Sequence, residues 1–144
     1  MPRGFVGRNA RFLRRLHQLP LAMEAVAALS VARLAIRLMS APRVHRLLGV
    51  PGDPSGEPEG SPGKRAATVA RAVTRIATLL PWQPSCLPQA IATRWMLRRR
   101  GIRCETHLGI VSTAPFSAHA WVSVEGVVLQ GGPVRHITEI ATLR

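Results

Sequence analysis

Two residues in the second half of the chain carry the most reactive side chains, and the first of them is a cysteine. Cys86 follows Ser85, which is a good N-cap for a helix that we predict over residues 86–100. A helix N-terminus presents unpaired N–H groups and a partial positive charge, which stabilise a thiolate and can bind the oxyanion of an acyl-transfer intermediate. These features make Cys86 a candidate nucleophile.

His119 is the candidate base, and it lies in a segment that alternates as a strand does. Alternation over residues 118–124 places His119, Trp121 and Ser123 on one face and only apolar residues on the other. The apolar face is the one expected to meet the core. A cysteine at a helix start, with an imidazole delivered from a following sheet, is an arrangement that activates a thiol for acyl transfer.

Periodicity predicts the elements that position these two residues. The sequence pattern predicts helices over 21–39, 43–48, 64–80 and 86–100, and Pro20 fits as the first residue of the first helix. Alternation predicts strands over 106–111, 118–124 and 127–130, with Glu125-Gly126 as a two-residue hairpin turn. Helices followed by an antiparallel sheet indicate an α+β fold, with the Cys86 helix packed on a small sheet.

The chain divides into three parts by composition. Residues 1–48 form a basic arm and an N-terminal helical region, residues 49–63 are a Pro/Gly-rich loop, and residues 64–144 form the core that bears Cys86 and His119. A length of 144 residues suits one domain, and 47% hydrophobic residues exclude a wholly disordered chain.

The charge is strongly positive and comes almost entirely from arginine. There are 20 basic and 7 acidic residues, a net charge of +13, and Lys64 is the only lysine. Charge alone would suggest nucleic acid, but no nucleic-acid motif or ladder of stacking aromatics accompanies it. We therefore expect docking to partner proteins, peptide or lipid. One cluster surrounds the end of the Cys86 helix: Arg94, Arg98, Arg99, Arg100 and Arg103.

The cysteines and the N-terminus indicate a cytoplasmic protein. Cys86 and Cys104 either bridge each other or are free, and free thiols in a cytosolic setting are the simpler interpretation. The apolar run after residue 19 is interrupted by Glu24, Arg33 and Arg37, so we predict neither a signal peptide nor a transmembrane helix. The basic N-terminus remains suited to surface contact with anionic lipid.

Two blocks of sequence resemble a known family of enzymes. CLPQAIATRWMLRRRGI and FSAHAWVSVEGVVL, with THLGI between them, are similar to the leader peptidases of lasso peptide biosynthesis (the microcin-processing type) over about residues 81–131. Those are small transglutaminase-like proteins with a papain-like core. The resemblance implies that Cys86 is the nucleophile and His119 the general base of a cysteine peptidase that cleaves the leader from a ribosomally made precursor.

The same resemblance implies partners. A separate leader-recognition protein presents the precursor, and a cyclase acts nearby; the chemistry requires no cofactor. A catalytically degenerate member that binds precursor or partner proteins as a scaffold is the alternative, and a basic protein that binds nucleic acid or a membrane surface is a third reading.

The third catalytic residue departs from the family pattern. The family has an acid, usually Asp, about a dozen residues after the histidine, whereas this chain has Leu129-Gln130-Gly131-Gly132 there. A two-residue turn would pair Trp121 with Gln130. Gln130 would then lie diagonal to His119, with about 7–8 Å between their backbones. Gln130 is therefore our candidate acceptor for the imidazole N–H. The other candidates are carboxylates that we expect on the surface: Glu105, Glu125 and Glu139.

Two further residues are assigned secondary roles. Gln83, just before the nucleophile, is a candidate amide donor to the oxyanion, and Trp121 is expected to pack over the site. Cys104 and His107, with Cys86 and His119, are potential zinc ligands, but they lack the close paired spacing of a zinc site. We therefore predict no metal.

Overall fold

Helices precede a single antiparallel sheet in this computed structural model, which describes residues 6–39, 43, 62–113, 116–132 and 137–143. Within those residues the helices are α1 (Val6–Leu38), α2 (Pro62–Leu79) and α3 (Cys86–Arg98). The strands are β1 (Glu105–Thr113), β2 (Phe116–Val124), β3 (Val127–Gln130) and β4 (Thr138–Leu143), in the order β3-β2-β1-β4. The predicted α+β class is confirmed.

Helix α1 extends further toward the N-terminus than the sequence suggested. It begins at Val6 and continues through Pro20, so the prediction of a helix that starts at Pro20 is wrong. Residues 8–19 contain neither Gly nor Pro and are rich in good helix formers, which offsets the hydrogen bond that Pro20 cannot donate.

Two predicted segments fall mostly outside the described residues. Of the short helix over 43–48, only Arg43 is described, and it is helical. Of the loop over 49–63, only Pro62 and Gly63 are described, and they form the first residues of α2. A proline at the first helical position fits a helix start, because its missing N–H would have no partner there.

The turns that end α3 and join β2 to β3 follow the expected chemistry. Gly101 has a φ of +69° and stops the helix, while the amide of Ile102 donates to the carbonyl of Leu97 at 3.1 Å. Glu125 and Gly126 have φ of +52° and +77°, as a two-residue type I′ turn requires. The predicted hairpin is therefore confirmed.

Strand β4 is absent from the sequence-based prediction. It pairs antiparallel with β1, so its partner lies about thirty residues earlier in the chain, with Thr106 opposite Leu143 and Ile110 opposite Thr138. Such pairing leaves no local turn signal for sequence reasoning to detect.

Helices α2 and α3 pack on one face of the sheet, α1 packs on these two helices, and together they form the core. That face carries Ala120, Val122 and Val124 of β2, all nearly inaccessible to solvent. Buried side chains of all three helices complete this core: Ala25, Leu29, Ala66, Val69, Val73, Ala77, Ala90, Ala92, Met96 and Leu97. The core thus joins the Cys86 helix rigidly to the strand that carries His119.

Polar contacts tie α1 to both ends of α3. Glu24 accepts two hydrogen bonds from the Arg100 guanidinium, at 3.0 and 2.5 Å, and Arg100 also donates to the carbonyl of Met96 at 2.8 Å. At the other end, the Arg33 guanidinium lies 4.5 Å from the ring centroid of Trp82, in the turn before Cys86. Helix α1 therefore braces the segment that presents the thiol.

Candidate active site

Cys86 is the first residue of α3, as predicted, and its thiol is partly exposed. Ser85 occupies the N-cap position with an extended backbone, but its side chain makes no capping hydrogen bond. The first-turn amides of Cys86 and Leu87 are therefore not used by that cap. The Sγ atom lies 4.0 Å from the carbonyl oxygen of Ala118, the residue before His119. The fold thus brings the thiol to the strand that carries the imidazole.

His119 is oriented by the main chain. Its Nε2 atom lies 2.5 Å from the carbonyl oxygen of Gly131, twelve residues later. A carbonyl oxygen only accepts, so Nε2 must carry the hydrogen. In the neutral ring Nδ1 then holds the lone pair, which is the tautomer a general base needs. The ring lies with Trp121 on the face of β2 opposite to the one on which α3 packs. Among the contacts of the described residues, no hydrogen bond joins this ring to the Cys86 thiol.

Gly131 is suited to this contact because it has no side chain. A Cβ atom built there would lie 2.4 Å from Cβ of Trp121 and 2.9 Å from its Cα, and the φ of Gly131 is +110°. Any other residue would therefore clash with β2 and adopt a strained backbone. Glycine allows the Gly131 carbonyl to approach the imidazole.

Gln130 lies elsewhere than predicted, because the hairpin contains an irregularity. Val124 pairs with Val127 and Ser123 with Val128, but Val122 then pairs with Gln130. The predicted pairing of Trp121 with Gln130 is wrong, because one extra residue in β3 moves Gln130 to the Val122 face. The contact expected of Gln130 is made by the Gly131 carbonyl instead.

Gln130 instead supports the start of α3. It is 5% exposed, and its amide donates to Oε1 of Gln89 at 3.2 Å. Gln89 in turn donates to the carbonyl of Pro84 at 2.7 Å, two residues before Cys86. This chain of amides links β3 to the turn that presents the thiol, so Gln130 and Gln89 act as positioning residues for Cys86.

Trp121 forms the centre of a stack of rings on the face that carries His119. Its ring centroid lies 5.2 Å from that of His107 and 6.2 Å from that of His119, with interplanar angles of 9° and 17°. Trp121 is 4% exposed, so the stack is a packed structure. Trp121 therefore packs between the two imidazoles.

His107 holds the other end of the stack through hydrogen bonds to two strands. Its Nδ1 lies 2.8 Å from Oε1 of Glu139 on β4, and its Nε2 lies 2.7 Å from Oγ of Ser123 on β2. Hydrogen bonds from His107 and then from Thr142 lower the pKa of the Glu139 carboxyl. His107 therefore joins β4 to the stack that supports His119.

Cys104 and Arg94 belong to the interior. Burial raises the pKa of the Cys104 thiol, and the two cysteines are not bridged. Arg94 is 1% exposed and donates to the carbonyl of Cys104 at 3.3 Å, and burial lowers its pKa. The expectation that Arg94 belongs to a basic docking surface is therefore wrong, because its side chain is buried against β1.

The last two sequence-based expectations concern Gln83 and a metal site. Gln83 is exposed and has a φ of +32°, in the turn between α2 and α3. Among the described residues, no group of three or more His, Cys, Asp and Glu side chains is arranged to hold a metal ion. The four residues that were counted as potential zinc ligands are thus not assembled into one site.

Sequence reasoning missed the roles of Gln89, His107 and the Gly131 carbonyl. Gln89 carried one signal, since it lies three residues after Cys86 and therefore on the same side of α3. The Gly131-Gly132 pair after a strand indicated a turn with positive φ angles. His107 carried none, because its partners come from β2 and β4.

Comparison with known proteins agrees with this architecture. The sequence profile of the transglutaminase-like superfamily matches residues 11–142. Searches among curated proteins and among solved structures return no significant match.

Proposed function

Because the chain belongs to the transglutaminase-like superfamily, we propose that it is a cysteine peptidase that cleaves the leader from a ribosomally made lasso peptide precursor. The observation that carries the proposal is the hydrogen bond from His119 Nε2 to the Gly131 carbonyl, on the strand that approaches the Cys86 thiol. It selects the base tautomer of an imidazole on the strand whose Ala118 carbonyl lies 4.0 Å from Sγ of Cys86, the first residue of α3. The resemblance of the Cys86 and His119 blocks to leader peptidases supplies the substrate class.

The first half of the proposed reaction forms an acyl-enzyme. The proposal requires the His119 ring to move within reach of the thiol. Its Nδ1 then takes the proton of Cys86, and the thiolate attacks the scissile carbonyl carbon of the precursor. The oxyanion of the tetrahedral intermediate meets the first-turn amides of α3, of which Pro88 contributes none. The protonated imidazole then gives its proton to the leaving amine, and the carbon–nitrogen bond breaks.

The second half releases the leader. His119 takes a proton from water, the resulting hydroxide attacks the thioester carbonyl, and Cys86 leaves as a thiol when the proton returns. Throughout, the Gly131 carbonyl and the Trp121 ring keep the imidazole in place. This chemistry needs no cofactor.

Partners and location follow from the same proposal. A leader-recognition protein presents the precursor, and a cyclase acts on the released core peptide. The basic surface of a chain with a net charge of +13 favours acidic partners through electrostatic steering. The two unbridged cysteines agree with a cytoplasmic setting.

The decisive experiment combines the purified protein with precursor and leader-recognition protein and follows cleavage by mass spectrometry. Cys86→Ala should abolish release of the core peptide. Cys104→Ala, which removes the other thiol, should retain it. Core-peptide release by Cys86→Ala at the wild-type rate would overturn the proposal.

A non-enzymatic scaffold is the second candidate, and one observation favours it. The acceptor of His119 Nε2 is a neutral carbonyl, which stabilises an imidazolium less than a carboxylate would. A scaffold would bind precursor or partner with equal affinity in the wild type and in Cys86→Ala, and neither would cleave. Turnover by the wild type alone excludes it.

A further inference from the structure

The outward face of α1 carries large apolar side chains that the domain leaves uncovered. Leu19, Met23, Leu34 and Leu38 are 57%, 72%, 55% and 73% exposed. The segment Leu19–Leu38 has a mean hydropathy of 1.7, yet only 17% of it is buried. An apolar strip of this extent on a single helix indicates a surface that binds something apolar.

The opposite face of α1 belongs to the core, so the helix cannot turn its apolar strip inward. Ala25, Leu29 and Ala32 are fully buried there. Hydrogen bonds from Arg100 to Glu24 fix the helix to α3. We refer to the exposed side chains Leu19, Met23, Val26, Val31, Leu34 and Leu38 as the outer face.

The residues that precede the outer face are basic. Helix α1 has no acidic residue before Glu24, whereas its first part contains Arg8, Arg11, Arg14 and Arg15. Helix α1 therefore continues from a positively charged segment into an apolar strip. An anionic bilayer offers the complement of both, with phosphates for the arginines and acyl chains for the apolar side chains.

A second copy of the chain is a poorer occupant. Two outer faces packed in parallel would place one arginine-rich segment beside the other. If the two faces packed antiparallel, the arginine-rich segment of one copy would lie near Arg33 and Arg37 of the other. Each copy also carries a net charge of +13. Like charges in both arrangements oppose such a dimer.

We propose that the outer face of α1 docks this protein on the surface of an anionic membrane, with α1 lying in the plane of the interface. If α1 spanned the membrane, Glu24 would separate from Arg100 and Arg33 from Trp82. The charges of Glu24 and Arg33 would then lie in hydrocarbon. Spanning would also strip Ala25 and Leu29 from the core. The surface-bound helix keeps all of these contacts.

Flotation of the full chain with lipid vesicles tests the proposal. Binding is expected to vesicles of phosphatidylcholine with phosphatidylglycerol, and much less to phosphatidylcholine alone. High NaCl should release the protein. No binding to the anionic vesicles would overturn the proposal, and so would retention after carbonate extraction, which would indicate a spanning helix.

Matched variants distinguish binding through the outer face from non-specific hydrophobic adsorption. Met23→Glu is expected to lower partitioning onto anionic vesicles about tenfold or more, because an apolar contact becomes a charge. Val127→Glu changes an equally exposed apolar residue, 62% exposed on β3, and should bind as the wild type does. Equal binding by the two variants would overturn the proposal. Circular dichroism checks that both are folded.

The arginines have their own control. Arg14→Gln combined with Arg15→Gln should lower binding about fivefold for each arginine removed. Arg71→Gln combined with Arg75→Gln removes two exposed arginines of α2 and should have little effect. Light scattering tests self-association. If the wild type were dimeric, Met23→Glu monomeric and neither bound vesicles, the outer face would be a dimer interface. That result would overturn the proposal.

Discussion

The imidazole of His119 is held by the carbonyl of Gly131, at a place in the sequence where the resembling family has an acid. A main-chain acceptor can select the tautomer as well as a side chain does, but it adds no negative charge to stabilise the imidazolium. In the proposed mechanism the main chain therefore orients the ring without the charge that the family's acid would supply. Catalysis should depend on the backbone of Gly131 rather than on any side chain there.

Replacing Gly131 tests this dependence. Gly131→Ala is expected to lower kcat/KM for precursor cleavage by about tenfold to a hundredfold, since the new methyl clashes with Trp121 and displaces the carbonyl. The control is Gly132→Ala, at a position that also has a positive φ, +72°, but where an added Cβ meets no described residue within 4 Å. If both variants lost activity equally, the carbonyl would have no specific role.

The two thiols should differ strongly in reactivity. Cys86 is partly exposed at a helix start, whereas Cys104 is buried and burial raises its pKa. Iodoacetamide should therefore modify the single-thiol variant Cys104→Ala at least about tenfold faster than Cys86→Ala at neutral pH. Mass spectrometry of the folded proteins measures both rates. Similar rates would contradict the assignment of Cys104 to the interior.

At the scale of elements, α1 and α3 are joined by Glu24 and Arg100. The Arg100 side-chain hydrogen bonds are the main cause that lowers the pKa of the Glu24 carboxyl, and burial opposes them. Because the pKa of Glu24 is lower in the folded state than in the unfolded state, its interaction with Arg100 stabilises the fold fully above the unfolded pKa of about 4.3. This stabilisation is lost as the pH falls through the lower folded value.

Glu24→Gln should reveal this contribution. At pH 7 the variant is expected to lose about 1–2 kcal/mol of unfolding free energy, and the difference from the wild type should shrink as the pH falls below about 4. Urea unfolding at both pH values measures it. Glu125→Gln, in the exposed turn, serves as the control, and a difference that grew at low pH would contradict the assignment.

The ring stack is the element-scale support of His119. His107→Phe keeps a ring against Trp121 but loses the bonds to Ser123 and Glu139, so it should lower stability by about 1–3 kcal/mol while most activity remains. His107→Ala loses the ring as well and should lower kcat/KM further. Urea unfolding and cleavage assays separate the two effects. Equal loss of activity in both variants would show that the hydrogen bonds, and not the stack, support the site.

For the whole molecule, the charge is the dominant property. A net charge of +13 on a chain of 144 residues destabilises the folded state by self-repulsion, which salt screens. Moderate NaCl is therefore expected to raise Tm by a few degrees. Replacing the exposed Arg71 and Arg75 by Glu changes the charge from +13 to +9, two units at each position, and should reduce that gain. A Tm that fell with added NaCl would contradict the claim that charge repulsion destabilises the folded state.

The sequence by itself determined the local features of the protein. The N-terminal position of Cys86 on a helix, the alternation around His119 and the Glu125-Gly126 turn depend on neighbouring residues, so short-range rules were enough to predict them. The α+β class followed from the order of those elements.

Only the tertiary structure decided which residues meet. One extra residue in β3 moved Gln130 to the helix side and brought the carbonyl of Gly131 to His119. The pairing of β4 with β1 placed Glu139 against His107. Register and long-range pairing depend on packing between distant segments, and a one-residue shift reverses the face on which every following side chain lies. No local pattern in the sequence contains that information.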